Sequence, residues 1–179
     1  DVEIFLKGKN NKINTKKLKK YFSFQEDFVR DQNIKLDTNS SINFSIDNKL
    51  NIKNLYIRSD LNLDSLNINY KSNFIKKYFE NYENKLVIKK PNILLDYSNE
   101  KINLRLDGKY SLKNQSDNFI VKFKGNKNNF ELYFLLNLDN CTLNITDINY
   151  FKKKNISSKL EILVKKSENS LNLEKIKFT

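Results

Sequence analysis

Residues 130–138 read FELYFLLNL, in which every second residue is apolar: Phe130, Leu132, Phe134, Leu136 and Leu138. Successive side chains of a β-strand point to opposite faces of a sheet, so this spacing places all five on one face. Shorter runs share the spacing, mostly with polar or charged residues between the apolar ones: Ile42, Phe44, Ile46; Ile102, Leu104, Leu106; Phe119, Val121, Phe123. The pattern is typical of an antiparallel sheet with one apolar and one solvated face. We therefore expect an all-β chain.

A second pattern, two alternating apolar pairs separated by a gap of two residues, occurs four times. The copies are Leu50, Ile52, Leu55, Ile57; Leu61, Leu63, Leu66, Ile68; Leu143, Ile145, Ile148, Tyr150; and Leu171, Leu173, Ile176, Phe178. The gap reverses the alternation, so unbroken pleating would turn the two halves to opposite faces. A β-bulge returns both halves to one face, and a tight turn at each gap is the alternative. Gaps such as Asp64-Ser65 leave little room for a turn, so we favour bulged, strongly twisted strands.

Turns and one or two short helices are expected between the strands. Turn-forming residues cluster at three places: Asp47-Asn48, Asp107-Gly108 and 125–129. Pro91 lacks an amide hydrogen, which predicts the start or the edge of a strand there. Ser72 is a good cap for a helix from Asn73 to about Tyr82, and Thr15 precedes a second, shorter candidate helix.

The size and composition of the chain favour one folded segment. Its 179 residues are enough to bury a core, and 39% hydrophobic with 12% aromatic residues is too apolar for a disordered chain. The chain begins at Asp1 and not at Met, as a processed chain or an excised piece would. We expect residues 1–179 to be a single β-rich segment of a larger protein, with 81–84 as the best candidate joint. No apolar run reaches the ~20 residues of a membrane-spanning helix, and no signal-peptide pattern opens the chain. Any targeting or anchoring element is therefore expected outside this segment.

The chain offers little of the chemistry that enzymes use. It contains no histidine, the commonest general base and metal ligand, and its three glycines are too far apart to form a phosphate-binding loop. The lone Cys141 cannot form an intrachain disulfide or a structural zinc site, and we expect a packed residue rather than a nucleophile. Six carboxylates are expected mostly at strand ends, where turn chemistry explains them: Asp37, Asp60, Asp64, Asp96, Asp107 and Asp139. We expect no enzymatic activity, no metal and no cofactor.

The formal net charge of +12 points to an anionic partner, either nucleic acid or a phospholipid surface. Genomic bias toward Asn, Lys and Ile is an alternative source of the lysine excess. The basic clusters are 16–20, 76–77, 152–154 and 165–166. Aromatic residues beside them, such as Tyr78 and Phe79, fit apolar stripes better than a base-stacking platform. Nucleic acid is therefore the less favoured partner.

The long apolar strand ends at 134–138 and is followed by short segments at Asp139-Asn140, 143–145 and 149–152. These segments resemble the repeat of the AsmA-like family, the YhdP/TamB group. In that repeat a strand ends in Leu-Asp-Leu-x-x-Ala, a second short strand follows, and an aromatic-x-Lys-Pro-Gly segment leads onward. Residues 104–109 are similar to the strand ends of such proteins, and 171–178 to the next short strand. The resemblance covers roughly residues 100–179, with a weaker likeness over 42–70. It departs from the family at Tyr150, where Trp is usual, and at Lys154-Asn155, which replaces Pro-Gly.

The resemblance implies a long, twisted, open sheet curled into a gutter with an apolar lining. Such proteins are anchored in the inner membrane of Gram-negative bacteria, reach across the periplasm and are implicated in phospholipid transport toward the outer membrane, without catalytic residues or cofactors. The implied partners are phospholipid acyl chains, adjoining segments of the same polypeptide and, through an anchor outside this segment, the inner membrane. The candidate lining residues are Ile102, Leu104, Leu106, Phe119, Val121, Phe123, Phe130, Leu132, Phe134, Leu136 and Leu138.

Two other functions stay open at the level of the sequence. A β-sandwich interaction or scaffold module would close its apolar faces on each other, so the candidate lining residues would pack against a second sheet or against the 73–82 helix. A binder of nucleic acid or another anionic surface would gather its lysines on one face and lose affinity steeply with salt.

Overall fold

The computed structural model describes residues 1–15, 29, 31, 33–79, 82–113 and 115–179. Within these ranges one short helix, α1 (Asn73–Tyr78), and one 3-10 turn (Thr146–Ile148) accompany the strands. The strands are β1 (Val2–Asn14), β2 (Asn33–Ile46), β3 (Ile52–Leu63), β4 (Ser65–Asn69), β5 (Lys85–Ser98), β6 (Lys101–Leu112), β7 (Gln115–Gly125), β8 (Phe130–Asn137), β9 (Leu143–Ile145), β10 (Tyr150–Lys152), β11 (Lys159–Ser167) and β12 (Ser170–Phe178).

Ten of these strands form one antiparallel sheet in the order β1-β2-β3-β5-β6-β7-β8-β11-β12, and β4 pairs with β5 beyond the end of β3. The remaining two strands, β9 and β10, form a separate hairpin that is inserted between β8 and β11. Each end strand of the large sheet, β1 and β12, has a single neighbour, so the sheet is open. The predicted all-β fold with an open antiparallel sheet is confirmed.

The register of the sheet sorts its side chains by polarity. Leu104 in β6 lies opposite Phe123 in β7, which lies opposite Leu132 in β8. One position along, Arg105 lies opposite Lys122, which lies opposite Tyr133. Because side chains directly opposite one another share a face, the sheet has one apolar and one largely polar face, as the alternation predicts.

Bulges occur at the first and last copies of the two-residue gap. In β3 the extra residue lies at Asn54-Leu55, and in β12 it is Glu174. The second copy is bent at Asp64, which divides β3 from β4, and the adjacent strand β5 carries a matching bulge at Lys90-Pro91. A bulge places two residues opposite one, so the apolar residues on both sides of it stay on one face.

The third copy is not a bulge, so that prediction is wrong. Its gap, Thr146-Asp147, starts the 3-10 turn between β9 and β10. Asn149 takes a left-handed conformation with φ of 54°, and its amide donates to the carbonyl of Thr146 at 3.2 Å. Asn adopts this conformation more readily than other residues with a side chain, which lets the strand reverse.

Two further local predictions are wrong, and both concern one place in the sheet. Asp107-Gly108 is not a turn, because both residues lie inside β6. Pro91 neither starts a strand nor lies on an edge strand, because it is inside β5, which has β3 and β6 as neighbours. It lies in the β5 bulge, where its nitrogen is not required to donate a hydrogen bond to the next strand. A Cβ on Gly108 would lie 3.1 Å from the Cα of Pro91, which explains the glycine by close approach of two backbones. The turns predicted at Asp47-Asn48 and after Gly125 are present.

Helix α1 begins as predicted, since the Oγ of Ser72 accepts a hydrogen bond from the amide of Ile75 at 3.1 Å. It ends earlier than the predicted Tyr82, because Phe79 has already turned to an extended conformation. Tyr82 is instead buried at 2% exposure, and its hydroxyl donates to the carbonyl of Tyr70. The helix predicted after Thr15 lies outside the described residues.

A cluster of buried apolar side chains lies at one end of the sheet. Its members are Ile68, Tyr82, Ile88, Tyr110, Leu112, Phe119, Leu138 and Cys141. Ile75 and Phe79 pack against this cluster, and Leu143 of the β9–β10 hairpin is buried at the same end. We call this region the closed end. Among the described residues, no second sheet covers the rest of the apolar face.

Candidate apolar binding face

Half-buried apolar side chains on five adjacent strands, β5, β6, β7, β8 and β11, form what we call the open apolar face. They are Ile93, Leu95, Tyr97, Ile102, Leu104, Leu106, Val121, Phe123, Phe130, Leu132, Phe134, Leu136, Leu160, Ile162 and Val164. The register arranges them in rows that cross the strands. One row runs from Leu95 to Val164 through Leu104, Phe123 and Leu132. The next row runs from Ile93 to Ile162 through Leu106, Val121 and Phe134.

Nine of the eleven candidate lining residues lie on this face. The other two, Phe119 and Leu138, belong to the closed end, where they are 6% and 1% exposed. Leu138 follows the last residue of β8, and its amide bonds to the carbonyl of Ser158 at 2.9 Å. Both side chains are packed against protein, which corrects their placement in a lipid-accessible lining.

The sequence reasoning missed the strands on either side of β6, β7 and β8. In β11, Leu160 and Ile162 alternate, but Leu163 makes 162–164 a continuous apolar run. In β5, Leu94 joins Ile93 and Leu95 in the same way, and the period cannot be read from such runs. Leu94 lies on the polar face and is 41% exposed.

The edge of the open apolar face nearest the β7–β8 turn combines aromatic rings with a cation. The rings of Phe123 and Phe130 are 5.3 Å apart between centroids. Lys166 lies opposite Phe130 in the register, with its Nζ 6.0 Å from the ring centroid and 3.1 Å from the carbonyl oxygen of Lys127. An ammonium group therefore stands at the boundary between the apolar side chains and solvent.

The opposite face of the sheet is largely polar, and several of its charged side chains form ion pairs across neighbouring strands. Arg58 Nε donates to Asp96 at 2.8 Å, and Lys175 Nζ to Glu161 at 2.6 Å. Asp37, Asp60, Asp96 and Asp107 lie inside strands, so the prediction that carboxylates mark strand ends holds only for Asp64 and Asp139. Cross-strand cations and amides explain these acidic residues better than turn chemistry does.

At the closed end the β9–β10 hairpin is held by a buried lysine. Lys152 is 1% exposed, and its Nζ donates to the carbonyl oxygens of Leu138 at 2.5 Å, Cys141 at 2.9 Å and Lys153 at 3.2 Å. Lys152 is therefore not part of a surface cluster with Lys153 and Lys154, as the sequence suggested. Its ammonium group ties the turn after β8 to β10.

Cys141 is a packed residue, as predicted, with no exposed surface. Burial is the main cause that raises the pKa of its thiol to about 11, so the thiol is protonated at neutral pH and a poor nucleophile. Its Sγ lies 3.5 Å from the Tyr110 hydroxyl, which donates to the carbonyl of Asn137 at 2.6 Å. Within the described ranges, no three His, Cys, Asp or Glu side chains are grouped so that they could hold a metal ion.

Searches of protein-family models, curated proteins and solved structures found no match to this chain. Among the residues that the structure describes, no helix is long and apolar enough to cross a membrane. A functional assignment therefore rests on the surfaces of the sheet itself.

Proposed function

We propose that the open apolar face binds the acyl chains of phospholipids. The observation that carries this proposal is the set of cross-strand apolar rows on β5 to β8 and β11, which stay half-buried without a second sheet over them among the described residues. Soluble proteins rarely leave a large contiguous apolar patch open to water unless the patch is a binding surface. The sandwich alternative needs a second sheet over these rows, and the described residues form none there, since the β9–β10 hairpin lies at the closed end.

The dimensions of the face suit a lipid chain. Adjacent strands lie about 4.8 Å apart, so a row across five strands spans roughly 19 Å. One leaflet of a bilayer contributes about half of its ~30 Å hydrocarbon core, or roughly 15 Å. An acyl chain laid along a row such as Leu95 to Val164 would contact apolar groups over its length and meet no unpaired charge, whose burial would be costly.

The rim of the face supports recognition of the phosphate. Lys166 stands beside Phe130 at the end of the apolar rows, where its ammonium group is placed to attract a phosphate oxygen as a point charge. An acyl chain and its headgroup would then contact the same edge of β8 and β11. The net charge of +12 favours the approach of anionic phospholipids in general.

The edges of the sheet support the wider assignment to an AsmA-like envelope protein. β12 carries Leu171, Leu173 and Ile176 on the apolar side, at 66%, 58% and 63% exposure, so a strand added there would lengthen the apolar face. We infer that adjoining segments of the same polypeptide pair with β1 and β12. The whole would act without catalysis in the periplasm, moving phospholipid between the inner and outer membranes, anchored to the inner membrane by a segment elsewhere in the protein.

Photocrosslinking tests the acyl-chain proposal. A photoreactive amino acid is placed at Leu104 or Phe134 on the open apolar face, and at Arg105 or Lys122 on the polar face of the same strands. Each variant is mixed with phospholipid vesicles and irradiated. Crosslinks to lipid at Leu104 and Phe134, with little at Arg105 and Lys122, are the expected result. Equal yields on the two faces, or none on either, would refute the proposal.

A further inference from the structure

A hollow of about 500 Å³ opens on the polar face, where β5 bulges opposite β6. Four cations and one carboxylate contribute to its lining: Lys89, Lys90, Arg105, Lys109 and Asp107. The carboxylate of Asp107 is already paired with Arg105 Nε at 2.9 Å. The three lysine side chains have no carboxylate partner among the residues that the structure describes. The hollow therefore holds a local excess of positive charge.

The register brings two of these lysines into direct opposition. Lys89 in β5 pairs with Lys109 in β6, and cross-strand neighbours have their Cβ atoms roughly 5 Å apart. Like charges in this position destabilise a sheet. Opposed cations also occur elsewhere in the sheet, since Lys12 lies opposite Lys35 and Arg105 opposite Lys122. Lys89 and Lys109 differ from Lys12 and Lys35 because both of them line a hollow in which a third lysine, Lys90, also lies.

The backbone at this place also keeps the hollow open. The bulge puts Lys90 in a left-handed conformation with φ of 46°, and Gly108 lies opposite the bulge. Gly108 lines the hollow without a side chain, and Asn118 from β7 adds an amide to the lining. Phe119 and Ile120 add apolar side chains to the lining. The ammonium groups and the amide are donors suited to oxyanions with several acceptor oxygens.

We propose that this hollow binds a phosphoryl group, whose negative charge offsets the repulsion between Lys89 and Lys109. The site lies on the polar face, so it is separate from acyl-chain binding on the open apolar face and does not depend on it. Phosphate monoesters and diesters share this chemistry. A soluble phosphorylated molecule and the headgroup of a phospholipid are therefore the two sources to distinguish.

The test compares two triple variants that remove the same charge. The first, K89Q/K90Q/K109Q, neutralises the hollow, and the second, K7Q/K9Q/K12Q, neutralises three exposed lysines of β1. Pyrophosphate is titrated against each protein, at constant ionic strength set with chloride, and the rise in Tm gives Kd. The wild type and the β1 variant are expected to bind alike, and the hollow variant at least tenfold more weakly. Equal binding by all three proteins, or an equal loss in both variants, would overturn the proposal.

A single substitution tests the proposal even if the triple variant does not fold. Lys109→Gln removes one of the two opposed charges, so without phosphate we expect its Tm to be equal to or above that of the wild type, and with pyrophosphate a smaller rise in Tm. A lower Tm without phosphate together with an undiminished rise would also contradict the proposal.

Competition then identifies the source of the phosphoryl group. Glycerol phosphate is added to one sample, and vesicles of phosphatidylglycerol to another, with phosphatidylcholine vesicles as the control. Displacement of pyrophosphate by glycerol phosphate alone identifies a soluble ligand, and displacement by phosphatidylglycerol vesicles identifies a headgroup. Failure of both to compete would contradict a phosphoryl site.

Discussion

The closed end and the open apolar face belong to the same sheet and are built from the same alternating strands, but they bury their side chains to different degrees. At the closed end, α1 and the β9–β10 hairpin accompany residues such as Leu138, at 1% exposure, and Tyr110, at 7%. Farther along the same strands, Leu104 and Leu132 are only half-buried by their neighbours on the face. Alternation alone therefore does not decide what an apolar face does; the elements that cover it do.

The difference also separates stability from binding. Side chains packed on all sides contribute most to the free energy of unfolding, because their removal leaves a cavity. Side chains that remain half-exposed contribute less to folding and are available to another molecule. Mutations at the closed end should therefore lower the unfolding free energy more than they lower lipid binding, and mutations on the open apolar face should do the reverse.

The largest effect on stability is expected for Leu138→Ala at the closed end. Removal of a fully packed leucine typically costs about 2–5 kcal/mol of unfolding free energy, and Leu138 is 1% exposed. Leu104→Ala on the open apolar face is the matched control and should cost clearly less. Urea denaturation followed by circular dichroism measures both. Equal costs would mean that the two regions are packed alike.

Lys152→Met should also destabilise the closed end. The substitution leaves the buried carbonyls of Leu138 and Cys141 without their ammonium donor, and a buried unsatisfied polar group costs about 1–3 kcal/mol. Lys154→Met, in the exposed turn that follows β10, removes the same charge as a control and should change the unfolding free energy little. The same denaturation experiment applies, and a Lys152 variant as stable as the control would show that the carbonyl contacts contribute nothing.

Phe134→Ser should weaken lipid binding more than it weakens the fold. Loss of a large apolar side chain from a binding surface removes about 1.5 kcal/mol or more of apolar contact, which corresponds to roughly tenfold in affinity. Tyr133→Ser, the neighbouring residue on the polar face, serves as the control. Binding to fluorescent phospholipid is the readout. Similar losses of lipid affinity in the two variants would mean that lipid does not prefer the open apolar face.

The smallest effect concerns pH and lies outside both regions, in the β2–β3 turn. The amide of Asn51 donates to Asp47 Oδ1 at 2.9 Å, and this bond is the main cause that lowers the pKa of Asp47 to about 2. Because the folded-state pKa lies below the value of 3.8 for an unperturbed Asp, the stabilisation is present above pH ~4 and lost as pH falls toward 2. Asp47→Asn should flatten this part of the stability curve. Thermal unfolding between pH 2 and pH 5 measures the change, and identical curves would contradict it.

Features that depend on the local period of apolar residues could be predicted from the sequence. Features that depend on backbone from another strand could not. The run from Phe130 to Leu136 forms a strand with one apolar face, because alternation fixes the direction of each side chain. Asp107-Gly108 has the composition of a turn, but the glycine is needed because Pro91 of the adjacent strand approaches it. No local pattern could indicate that approach.

The candidate binding face was predicted in part for the same reason. Nine residues of β6, β7 and β8 were found from their alternation, whereas the contributions of β5 and β11 needed the register between strands. Leu138 alternates like its neighbours, but it is enclosed at the closed end. Lys152 gives no sign of burial in the sequence, because its partners are backbone carbonyls of the turn after β8.

The central claim, that phospholipid contacts the open apolar face and not the closed end, can be tested on the unmodified chain. Methyl groups are labelled for NMR, and phospholipid with a spin label on its acyl chain is added. The account predicts strong broadening of Leu95, Leu104 and Leu132 on the open apolar face, while signals of Leu138 and Leu143 at the closed end and Leu94 on the polar face stay sharp. Broadening that is equal across these leucines, or confined to Leu94, would contradict the account.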